Sequence, residues 1–156
     1  MILTSVRASA DPGASVGVGP LQADLDGLYL HVGPALAAVR REGAWDSAVG
    51  GTISLARVRE REAVSVVGGR VTGARWGLGG ARVAAEGLVA FGDWKIGVVG
   101  GPLVDLADLH HPRIGASAAI WCFAGVVPYL RVGVIEASGG FVEAGLEIPL
   151  PVWRHR

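Results

Sequence analysis

A two-residue period runs through the C-terminal third of the sequence. From Phe141 to Trp153, Val142, Ala144, Leu146, Ile148, Leu150 and Val152 alternate with Phe141, Glu143, Gly145 and Glu147. The same split sets Leu130, Val132 and Val134 against Tyr129, Arg131 and Gly133. It sets Ile114, Ala116, Ala118, Ile120, Cys122, Ala124 and Val126 against Arg113, Gly115, Ser117, Ala119, Trp121 and Phe123. Earlier in the chain, Val83, Ala85, Val89 and Phe91 oppose Arg82, Ala84 and Glu86, and Leu28, Leu30, Val32 and Leu36 oppose Tyr29, His31 and Gly33. Successive side chains of a strand point to opposite faces, so each segment has one aliphatic face and one mixed face. Helix is excluded over most of this length. The chain holds 25 glycines, and each costs roughly 1 kcal/mol in a helix interior.

Gly, Pro and Asp clusters divide the chain into eight such segments, predicted as strands. They are Leu28–Arg40, Ala48–Arg59, Ala63–Arg75, Ala81–Gly92, Trp94–Leu106, Arg113–Val126, Tyr129–Ala137 and Phe141–Trp153. Connections at 59–62, 92–93 and 127–128 read as tight, and those at 41–47, 76–80, 107–112 and 138–140 as longer. An even strand count with short turns at one end predicts an all-β, eight-stranded antiparallel up-and-down barrel over residues 27–154, rather than a Greek-key sandwich. Residues 1–26 lack any period and read as a flexible N-terminal arm. With 156 residues, 51% of them hydrophobic, the chain suits one domain with a real core, and disorder is excluded.

The next question is which face is wet. The aliphatic faces run six or seven alternate positions, about 40 Å of strand at ~3.3 Å per residue. That is more than the interior of an eight-stranded barrel needs. The mixed faces are too poor in charge for a solvated surface, and their glycines leave space for long side chains in a narrow lumen. The expectation is therefore an inverted barrel. Its apolar exterior would comprise Val83, Val89, Ile114, Ile120, Leu130, Val132, Val134, Val142, Leu146, Ile148 and Leu150. Its lumen would hold an ion network of Arg82, Glu86, Lys95, Arg113, Arg131, Glu143 and Glu147. Arg57, Arg59 and Arg70 blur the apolar face of the second and third segments.

By strand count, alternation and turn asymmetry, residues 28–153 resemble the small eight-stranded outer-membrane barrels of Gram-negative bacteria, the class of the outer-membrane protein A transmembrane domain. The Arg-rich composition, with Lys95 the single lysine, suits a high-GC bacterium. Trp45, Trp76, Trp94 and Trp153 fall near strand ends, where interfacial aromatics belong. The sequence departs from the class where Arg154-His155-Arg156 follow Trp153. The resemblance implies an outer-membrane location and a lumen plugged by side chains, with any function carried by loops.

No constellation for catalysis, cofactor or metal emerges. His110-His111, near Asp105 and Asp108, reads as a solvated loop, because adjacent histidines lack the i, i+4 spacing of preformed ligands. Gly68-Gly69-Arg70-Val71-Thr72-Gly73 and Gly97-Val98-Val99-Gly100-Gly101 are not followed by a helix that could present amides to phosphate, so they read as strand glycines. Glu143 and Glu147 lie roughly 13 Å apart along a strand, too far for a glycosidase pair. Cys122 reads as a small hydrophobe, and Ser5, Ser54, Ser65 and Ser117 form no nucleophile elbow.

Equal numbers of basic and acidic residues, 14 each, give no field to attract nucleic acid. Met1 to Arg7 is too short an apolar run for a secretory signal, and no segment reaches the length of a membrane helix. Three readings compete, of which the non-enzymatic inverted barrel, membrane-embedded ahead of self-assembled, is the one expected. The first is an outer-membrane barrel partnered by lipid or detergent. The second is a cytoplasmic, self-assembling barrel whose exterior is covered by copies of itself in a filament or shell. The third is a soluble, lipocalin-like carrier or barrel enzyme holding a small apolar ligand, with the aliphatic face turned inward.

Overall fold

The structure is a computed structural model that describes residues 26–92 and 96–155. All its regular elements are strands: β1 (Gly27–Arg41), β2 (Ala44–Val58), β3 (Val64–Trp76), β4 (Ala81–Phe91), β5 (Ile96–Asp105), β6 (Arg113–Cys122), β7 (Val127–Ile135), β8 (Gly139–Glu147) and β9 (Leu150–His155). Each pairs antiparallel with the next from β1 to β8, and β1 then pairs with both β8 and β9. The sheet closes on itself as an eight-stranded up-and-down barrel with one extra strand. Closure removes the exposed edges that would otherwise recruit other chains.

The eighth expected segment is two strands. Pro149 has no N–H to donate, so the ladder to β1 breaks at Ile148-Pro149 and resumes with Leu150 opposite Val32. The Ile148 carbonyl crosses so near Gly33 that a Cβ there would lie 1.9 Å from its oxygen. Glycine is the one residue that allows this crossing.

The expected asymmetry of the turns is absent. One end carries the connections 42–43, 77–80, 106–112 and 136–138, and the other carries 59–63, 92–95 and 123–126. The long first connection foreseen at 41–47 is a two-residue turn, because β1 and β2 each run further than expected. Glu42 and Gly43 both adopt positive φ, 51° and 81°, as a type I′ hairpin requires to match the strand twist.

The faces divide as the alternation predicts. Val83, Ile114, Ile120, Leu130, Val132, Val134, Val142, Leu146, Ile148 and Leu150 are exposed, Val132 to 53%, and Val89 is half-buried. Trp76, Arg131, Leu103, Glu143, Val39, Asp105 and Ser65 are the largest side chains that are fully buried. The aliphatic face thus points outward, opposite to the arrangement of an inward-facing carrier.

Candidate functional site

The barrel interior has three levels. The middle level is ionic. Glu86 lies at its centre, accepting a hydrogen bond from Arg70 Nε at 2.9 Å and two from the Arg131 guanidinium. Ser117 Oγ adds a donor to Glu86 at 3.2 Å. Glu147 takes Arg70 Nη1 at 3.0 Å and the Thr52 hydroxyl. Glu143 pairs with Arg82 and accepts the Tyr129 hydroxyl at 2.7 Å. Arg131 and Glu143 face each other across β7 and β8, yet Arg131 Nε stands 3.8 Å from the carboxylate, and each is held more closely by another partner. Arginine suits such paired, poorly hydrated positions because its planar fork serves two carboxylates at once.

Five of the expected lumen residues, Arg82, Glu86, Arg131, Glu143 and Glu147, come together here. Arg113 does not join them. It is half-buried at the rim and donates to Ser138. Lys95 and Trp94 lie outside the described residues, as does the arm up to residue 25. Arg70, expected to mar the apolar exterior, points inward and is 7% exposed. A β-bulge between Val64 and Val66 inserts one residue, which reverses the phase of β3 from there on. Arg57 is exposed on the outer face, and Arg59 is paired with Glu62 in the connection that follows β2.

The level towards the 42–43 hairpin is a plug. Trp76, Phe141, Val39 and Leu103 fill the lumen from four strands. The Arg82 guanidinium lies 4.6 Å from the Trp76 ring centre and 5.6 Å from that of Phe141. The π faces supply partners for the Nε and Nη1 atoms that lack hydrogen bonds. Trp76 Nε1 donates to Asp105 at 3.1 Å. Asp105, weighed in the sequence with the loop histidines, is therefore an interior residue. Among the described residues no three His, Cys, Asp or Glu side chains could hold a metal ion. In the loop itself, Asp108 lies 2.9 Å from His111 Nδ1, and this hydrogen bond holds its carboxyl below the ordinary range.

The opposite level is an open cup of about 290 Å³. Its floor is the Arg70–Glu147 pair and Ser54, and its wall is largely apolar, with Ala56, Val66, Leu88, Trp121 and Tyr29 among the lining residues and the half-buried His31 beside them. Neither composition nor motif marks this cup in the sequence.

Inward glycines make the aromatic interior fit. Gly97, Gly133 and Gly145 face Trp121, Phe141 and Tyr129 across the ladder, and a Cβ on any of them would come within 2.6 Å of the ring opposite. No protein-family model, curated protein or solved structure matches the chain.

Proposed function

We propose that the chain is a membrane-spanning β-barrel of the outer-membrane type, non-enzymatic and with a lumen sealed by its own side chains. The observation that carries this reading is the exterior. Outward positions of β4 to β8 hold no charged residue among those described. The outward arginines Arg40 and Arg75 stand near the plug end, and Arg57 near the open end. Between Arg57 and Val49, the register partner of Arg75, β2 runs about 26 Å at ~3.3 Å per residue. A strand inclined by ~40° makes that about 20 Å of height, close to the ~25 Å apolar band of such barrels. Trp45 is exposed at one end and Phe91 and Trp153 at the other, where the aromatic belts of a membrane protein lie. A water-facing exterior of this size would be an aggregation surface.

The sealed lumen leaves the connections, of which 106–112 is the longest, as the surfaces for structural or binding roles. The self-assembling reading accounts for the same exterior, and it is favoured by the short supply of aromatics at the two ends.

Purification with and without detergent tests the proposal. The expected result is a chain soluble only in detergent, with gel mobility that shifts on heating. Large ordered particles in plain buffer would establish the self-assembling barrel instead, and a detergent-free monomer would end both readings. Within a bilayer, Val132→Arg at mid-height should cost about 2–4 kcal/mol, with smaller costs for arginines placed nearer either rim.

A further inference from the structure

We propose that the open cup is a binding site for one hydrocarbon chain or an uncharged apolar molecule of similar bulk. The cup belongs to the barrel interior, so this inference stands whatever surrounds the outer face. Its volume, about 290 Å³, is roughly twice that of a cavity able to hold benzene.

Three features select the occupant. The wall is mostly carbon, with Ala56, Val66 and Leu88 joined by the Trp121 ring, and its polar groups are confined to His31, Tyr29 and Ser54 beside the floor pair. The floor has no charge to spare, because Arg70 is divided between Glu86 and Glu147, and Glu147 also takes Thr52. A charged group driven to the bottom would have to break one of these pairs. An occupant with a polar head must therefore enter tail first and leave the head at the rim, beside Tyr29 and Pro151. Finally, an open volume of about 290 Å³ remains at this end, whereas Trp76 and Phe141 pack together across the other.

Heavy-atom quenching of tryptophan fluorescence by 1-bromooctane tests the assignment on the full folded chain, in detergent or in buffer as its solubility dictates. The expected signal is a quenching component that saturates at one molecule per chain. It should disappear in Trp121→Phe and weaken at least tenfold in Ala56→Phe, which narrows the cup. Native mass spectrometry should retain one bromooctane per parent chain, so the assignment remains testable if Ala56→Phe does not fold. A lipid with a brominated acyl chain forms the second arm. Saturable quenching by both probes identifies a lipid tail as the source, and quenching by bromooctane alone identifies a free apolar molecule. Quenching that rises linearly without saturation, or that saturates equally in folded Ala56→Phe, would overturn the site. Insolubility without detergent, or its absence, decides the membrane proposal separately.

Discussion

The two ends of this barrel solve the same packing problem in opposite ways. At the hairpin end, Trp76, Phe141, Val39 and Leu103 meet across the lumen, and Arg82 is pressed between two rings. At the other end Tyr29, Ala56, Val66, Leu88 and Trp121 line a wall that leaves a cup of about 290 Å³ open. The ionic belt between them makes this contrast workable. It gives the cup a rigid, electrically balanced floor and separates it from the plug. Sealing and accessibility are therefore independent properties, set by different residues.

The largest test of this division removes the belt's centre. Glu86→Ala leaves Arg70 and Arg131 without their shared carboxylate. It should cost about 3–5 kcal/mol, read as loss of the folded form in a denaturant titration. Both ends should fail together, because the floor and the plug both rest on it. Next is the plug itself. Leu103→Ala, at a residue 1% exposed, should cost about 2–5 kcal/mol, whereas Leu88→Ala should cost clearly less, since the space it vacates adds to a cup already open rather than making a closed void. Equal losses at the two leucines would show that the cup is closed in solution. A smaller effect should follow from Trp76→Phe, which keeps an aromatic ring but removes the indole N–H that donates to Asp105. Leaving that buried acceptor without its donor costs about 1–3 kcal/mol.

The smallest effect concerns neither end's interior. The Asp108 carboxyl titrates below its ordinary range because His111 is hydrogen-bonded to it. A carboxyl depressed in the folded state stabilises above its unfolded value, near 4, and loses that contribution as pH falls through the folded value. The group is fully exposed, so Asp108→Asn should abolish a small acid-side change in loop 106–112, seen by NMR, and leave global unfolding unmoved.

Much of this arrangement was legible in the sequence. Strict alternation in β6, β7 and β8 assigns Ile114, Leu130, Val132 and Leu146 to one face and Arg131, Glu143 and Glu147 to the other, because a period of two admits no other placement. Arg70 was misassigned for an equally physical reason. A bulge costs the pattern a single residue, and Val64, Ser65, Val66 and Val67 offer no polarity contrast by which to see it. Pro149 breaks the ladder inside a segment whose aliphatic period is otherwise continuous, and Gly43 falls within the connection expected at 41–47, where polar residues hide that both strands run on to a two-residue turn. The cup was invisible because its lining is gathered from strands far apart in the sequence, from Tyr29 of β1 to Pro151 of β9, and becomes a cavity only after the sheet has closed.

The carboxylates and guanidinium groups of the belt also constrain how the molecule can be made. Thr52 and Glu147 are 95 residues apart, and Arg70 and Glu147 are 77 apart. These partners meet across the lumen, so a partly rolled sheet leaves them stranded without one another. Intermediates of assembly consequently carry uncompensated charge until the last seam between β1 and the β8–β9 pair zips, and the barrel should form as one cooperative event rather than strand by strand.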